Sequence, residues 1–169
     1  ANFDDLFYLD IIKELNNINF DLNSFLDTST AFNPLPIQIK SSNAYYLDKD
    51  TGGNIAKIVY TLKKSNNDKY NLLINSFLSL FPDIESIEPQ MLSYDKKHFK
   101  VGGLKDSPFM LADNIFIIMV KEKYNIKPEN FNNLSNGTKR IFILLTSAIL
   151  ADIQGINIIA FEELENCIH

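Results

Sequence analysis

Residues 134–166 read LSNGTKRIFILLTSAILADIQGINIIAFEELEN, and the order of their parts decides the fold. Leu134-Ser135-Asn136-Gly137-Thr138 has the chemistry of a helix start, because a hydroxyl residue ahead of the first turn can accept from a backbone N–H that lacks a helical partner. From Ile141 to Ile153 the helix is apolar on nearly every side, so other structure must cover it and it belongs to a core. Gly155 ends it. Ile156 to Phe161 is then of strand length and apolar apart from Asn157, as in a strand buried on both faces. That strand delivers Glu162-Glu163-Leu164-Glu165-Asn166. Helix followed by buried strand indicates an α/β architecture.

Two places in this stretch carry chemistry. Adjacent carboxylates at the end of an apolar strand are costly unless a cation or water meets them. In open α/β sheets ligands bind outside the carboxyl ends of the strands, which is where Glu162 and Glu163 fall. Neighbouring strand residues face opposite ways, so one carboxylate can approach a metal while the other addresses a water. The plain alternative is a solvated acidic turn. At the helix start, unpaired N–H groups and the helix dipole favour an anion, Ser135 adds a hydroxyl, and Gly137 permits close approach to the backbone. An ordinary N-cap is the commoner use of such residues.

Upstream, Leu6, Leu9, Ile12 and Leu15 predict a helix over 4–15, ended by Asn16, Asn17 and Asn19. Residues 21–36 are polar, hold two prolines and read as a connecting loop before a short strand at 37–40. After the turn residues 48–53, Ile55, Ile58, Val59 and Leu62 share one helix face, and Tyr70, Leu73, Ile74, Phe77, Leu78 and Phe81 form a second helix closed by Pro82. The two make a helical hairpin. Residues 84–94 and 98–101 read as a β-hairpin turning at Asp95-Lys96-Lys97. The β-branched and aromatic run at 114–120 is the clearest strand, and 125–134 reads as loop.

With 169 residues, 46% hydrophobic and 22% charged, the chain suits one globular domain or slightly more. A net charge of −5 argues against a dominant nucleic-acid surface, and the clusters Lys63-Lys64 and Lys96-Lys97-His98 are short enough to be solvated surface. The apolar stretch 141–153 is too short to span a membrane, and the acidic start lacks the features of a signal peptide, so the expected location is cytoplasmic. One cysteine and two histidines leave no disulfide framework and make a zinc site improbable. Cys167 reads as inert and His98 as a surface residue.

Taken together, residues 134–169 resemble the signature helix and Walker B region of the RecF/OLD-like predicted ATPases, an ABC-type family in which L-S-x-G-T-x-R precedes an apolar strand and D/E-E-P-E-x-x-L-H-P. Arg140 matches the arginine of that pattern. Weaker likeness extends to Gly53-Asn54-Ile55-Ala56 and to the helix end at Phe81-Pro82. The resemblance implies a piece of an ABC-type P-loop ATPase head. Residues 1–47 would be an N-terminal helix and linker, 48–83 a helical hairpin, 84–130 strands, and 131–169 the buried signature helix and Walker B strand.

The resemblance further implies that Ser135, Asn136, Gly137 and Thr138 contact the γ-phosphate of ATP held by a second subunit. Glu162 would hold Mg²⁺ through water, Glu163 would be the general base, and 165–169 would meet the partner of a homodimer that sandwiches ATP. Relatives of this kind work with DNA or nuclease partners, or in phage defence. The sequence has no Gly-Lys pair and hence no Walker A motif. It is therefore expected to be the middle-to-C-terminal part of a larger protein whose N-terminal lobe carries that motif. Leu164 replaces the family's usual proline, and Glu162 stands where many relatives have Asp. Those departures keep open a non-hydrolysing head that binds nucleotide or a partner as a regulatory module, and a stand-alone interaction domain is the third reading.

Overall fold

Isoleucines and a valine spaced three and four apart give the first long helix its buried face. Ile55, Val59 and Leu62 are fully buried, with Ile58 beside them. The computed structural model describes residues 18–19, 28–32, 37–39, 55–93, 109–111, 114–156 and 158–159. In chain order these form β1 (Ile18–Asn19), α1 (Thr28–Ala31), β2 (Ile37–Ile39), α2 (Ile55–Ser65), α3 (Asn67–Leu80), β3 (Ile84–Ser93), β4 (Phe109–Leu111), β5 (Asn114–Glu122) and β6 (Glu129–Asn130). A 3₁₀ turn (Phe131–Asn133), α4 (Asn136–Gln154) and β7 (Ile158–Ile159) follow. The architecture is a small α/β fold of three longer helices and a three-stranded antiparallel sheet, with two further strand pairs.

Asn66 explains why the helical hairpin turns where it does. Its backbone N–H donates to Leu62 O at 2.8 Å, closing α2, and its side chain accepts from Lys69 N at 3.2 Å, capping α3. Tyr70, Leu73 and Phe77 then bury one face of α3, and the Phe81 N–H returns to Phe77 O before Pro82 stops the helix. The hairpin and its core face agree with the periodicity.

In the sheet, β3 pairs antiparallel with β5, from Ile84 opposite Glu122 to Ser93 opposite Asn114, and β5 pairs on its other side with β6. The expected hairpin partner 98–101 lies outside the described residues, and the partner the structure provides for β3 is β5. Pro89 stands opposite Ile118 and cannot donate, consistent with β3 being an edge among the described residues. β5 runs two residues beyond its expected end, to Glu122.

Three stretches differ from their expected form. Residues 21–36 are not all loop: α1 forms at Thr28–Ala31, and Ala31 and Phe32 are buried. Ile18–Asn19, placed after the end of a helix by the asparagine count, is a strand paired parallel with β7. The supposed loop 125–134 contains β6 and the 3₁₀ turn, whose Phe131 is fully buried. The expected helix 4–15 lies outside the described residues.

Within the mainly aliphatic core lies a cluster of phenylalanine rings. The tilted rings of Phe131 and Phe142 lie 4.7 Å apart between centroids, Phe32 lies 4.9 Å from Phe131, and Phe77 meets Phe142 at 5.0 Å. These four rings join α1, α3, the 3₁₀ turn and α4. α4 is less enclosed than its composition suggests. Phe142, Ile143, Thr146, Ser147, Leu150 and Ala151 are buried, but Ile141, Leu144, Leu145 and Ile149 are only half-buried, and Ala148 and Ile153 are exposed. One stripe of α4 serves the core, rather than the whole circumference.

Candidate functional site

The start of α4 is built around Ser135, whose extended backbone (φ −57°, ψ 152°) lies just outside the helix. Its Oγ accepts from Thr138 N at 3.1 Å and lies 2.8 Å from Thr138 Oγ1. The Lys139 N–H donates to Ser135 O at 3.0 Å. The ordinary N-cap reading is therefore correct as local structure. It leaves the amides of Asn136 and Gly137 without an acceptor inside the helix, at the positive end of the helix dipole. Ser135 and Asn136 are exposed, whereas Gly137 and Thr138 are half-buried. The four residues expected to contact a phosphate thus form one contiguous surface turn.

Two contacts brace that turn from elsewhere. Thr28 Oγ1 donates to Asn136 Oδ1 at 3.0 Å, and Thr28 is itself buried. Lys139 is also buried, and its Nζ donates to Asn132 O at 3.1 Å, tying the first turn of α4 to the 3₁₀ turn ahead of it. Neither Thr28 nor Lys139 was singled out by the sequence. The available signal was faint: a threonine just ahead of an apolar Ala31-Phe32 pair, and a lysine one turn into an apolar helix.

At its other end α4 closes on Gly155 in the left-handed region (φ 69°, ψ 25°). Gly155 N–H donates to Asp152 O at 3.2 Å and Ile156 N–H to Ala151 O at 2.8 Å, a Schellman closure. The chain then enters β7, which pairs in parallel with β1, Ile158 opposite Ile18. Glu162 and Glu163 lie outside the described residues, as do His98, Cys167 and His169. Among the described residues no three His, Cys, Asp or Glu side chains come together as a metal site. No described helix is long and apolar enough to cross a membrane.

The chain matches no family model, no curated protein and no solved structure.

Proposed function

We propose that this chain is the part of an ABC-type ATPase head that carries the signature helix and the Walker B strand. The reading rests on the RecF/OLD-like motif resemblance of residues 134–169. The structural observation that supports it is the exposed, Ser135-capped start of α4, whose first amides have no acceptor within the helix and suit an anion. In this reading Ser135, Asn136, Gly137 and Thr138 meet the γ-phosphate of ATP bound by the second subunit of a homodimer. The Walker A lobe belongs to the rest of the protein. Glu162 fits Mg²⁺ by the chemistry of its oxygen donors, and the ion, when bound, neutralises phosphate charge. Glu163 takes the proton of the attacking water. The work done by ATP-driven dimerisation is a DNA-repair, nuclease-associated or defence process.

Ser135→Asp in the full-length protein tests this directly, because aspartate caps a helix as well as serine and suits the helix dipole. Helix stability should persist while the added charge opposes phosphate. ATP-dependent association, followed by size-exclusion chromatography with Mg-ATP, should be lost at an unchanged thermal midpoint. Association equal to that of the parent would remove this turn from the nucleotide site.

A further inference from the structure

Thr28 sits 108 positions before Asn136, on a segment that the sequence reads as linker, yet it is buried and its hydroxyl donates to the first residue of α4. The segment is anchored rather than draped: Phe32 is buried and packs 4.9 Å from Phe131 and 6.1 Å from Phe142. Phe142 lies within α4 itself, so α1 and the start of α4 share one aromatic support. Thr28 is buried, and its hydroxyl finds its acceptor in Oδ1 of the exposed Asn136. The bond therefore fixes an exposed side chain from beneath.

We infer that Thr28 is a positioning residue for the phosphate-contacting turn, acting through Asn136 to hold the amides of Asn136 and Gly137 in line with the terminal phosphate of a nucleoside triphosphate. This rests on the function proposed above. Thr28 touches no ligand. Its effect is to remove freedom from the turn before the phosphate arrives, so that less ordering opposes binding.

The test uses the full-length protein and reads the ATP concentration for half-maximal turnover, kcat, and the thermal midpoint. Thr28→Val keeps the shape and removes the donor; it should raise the half-saturating ATP concentration about tenfold, the worth of one well-placed hydrogen bond. Thr28→Ser, which keeps the hydroxyl, should stay near the parent. Asn136→Ala removes the acceptor from an exposed position and should reproduce the Thr28→Val effect, and the double variant should be no worse than either single one. A role in stability alone would lower the thermal midpoint and leave the ATP dependence of the folded enzyme unchanged, and that result overturns the inference. So would additive effects of the two substitutions. Should Thr28→Val fail to fold, Thr28→Ala decides the matter, since it also lacks the donor and leaves Asn136 in place: parent-like ATP dependence overturns the inference, and a tenfold rise supports it. Ser135→Asp, run alongside, separates the two levels. If it also binds and turns over ATP like the parent, the phosphate turn itself is wrong; if it fails while Thr28→Val and Asn136→Ala do not, only the positioning role is.

Discussion

The ring of Phe142 meets that of Phe77 edge to face, with centroids 5.0 Å apart and planes at 90°. Both side chains are fully buried, and the contact joins α4 to the helical hairpin. Aromatic pairs prefer this geometry because the positive ring edge meets the negative face. Phe131 and Phe32 complete the group, so Phe142 is surrounded by rings on three elements. Phe142→Ala should therefore leave a cavity that rigid neighbours cannot close, at a cost of about 3–5 kcal/mol. Chemical denaturation of parent and variant measures it, and a loss below about 1 kcal/mol would mean that the cluster does not hold α4 in place.

A second prediction concerns the far end of the same helix. Gly155 has φ 69°, and a Cβ built there meets nothing within 4 Å. Any cost of substitution must therefore come from backbone strain, not from collision. Gly155→Ala should destabilise by about 1–2 kcal/mol, the penalty of a left-handed residue with a Cβ. Gly155→Asn should cost less, since asparagine tolerates that region. Equal losses for the two variants, measured by denaturant midpoint, would refute the strain account.

These two sites differ in how plainly the sequence announces them. Gly155 after an apolar helix is a local stop signal, just as Ile55, Ile58, Val59 and Leu62 announce a helix face by spacing alone. Ser135 as a helix start is likewise a matter of a few neighbouring residues. Phe131, between Asn130 and Asn132, carries no periodic signal, and its burial depends on rings supplied from residues 32, 77 and 142. Strand pairing is equally non-local. Asp95-Lys96-Lys97 suggests a turn, but nothing near residues 84–93 specifies their alignment with 114–122. For the candidate site, the turn 135–138 was legible because it is contiguous, and its brace at Thr28 was not, because it crosses 108 positions.

Tyr70 gives a pH dependence. Burial, and then the charge of Glu88, push its phenol from 10.0 up to about 12, while its hydroxyl donates to Ile87 O at 3.3 Å. Ionisation is thus harder in the folded protein than in the unfolded chain. The stability that neutral Tyr70 contributes is complete below pH 10 and is lost as the pH rises from 10 to about 12. Parent and Tyr70→Phe should be compared by denaturation across that window. The parent should lose more stability than the variant, which has no phenol to ionise. Parallel loss in both proteins would show that Tyr70 is free to ionise in the folded state.

The last prediction separates the two carboxylates that follow β7. Glu162 and Glu163 are neighbours in sequence after the apolar run, and neighbouring residues of a strand face opposite ways, which is the basis for giving them different roles. On the proposed reading, Glu162 addresses the cation and Glu163 addresses the water beside the γ-phosphate. Glu163→Gln preserves shape but removes the proton acceptor, so turnover by the full-length protein should fall by about 10²- to 10⁴-fold, the usual contribution of a positioned base. ATP binding should survive, since a negative charge near a triphosphate has been removed. That variant should accumulate as an ATP-bound dimer in size-exclusion chromatography with Mg-ATP. Glu162→Gln should instead lose Mg²⁺-dependent ATP affinity together with turnover, because the amide is a poorer donor to a hard cation. The contrast matters more than either loss alone: two equivalent solvated glutamates would give two equivalent, mild phenotypes. Near-parent turnover for Glu163→Gln would remove this residue from the chemistry and shift the reading to a head that binds nucleotide without hydrolysing it.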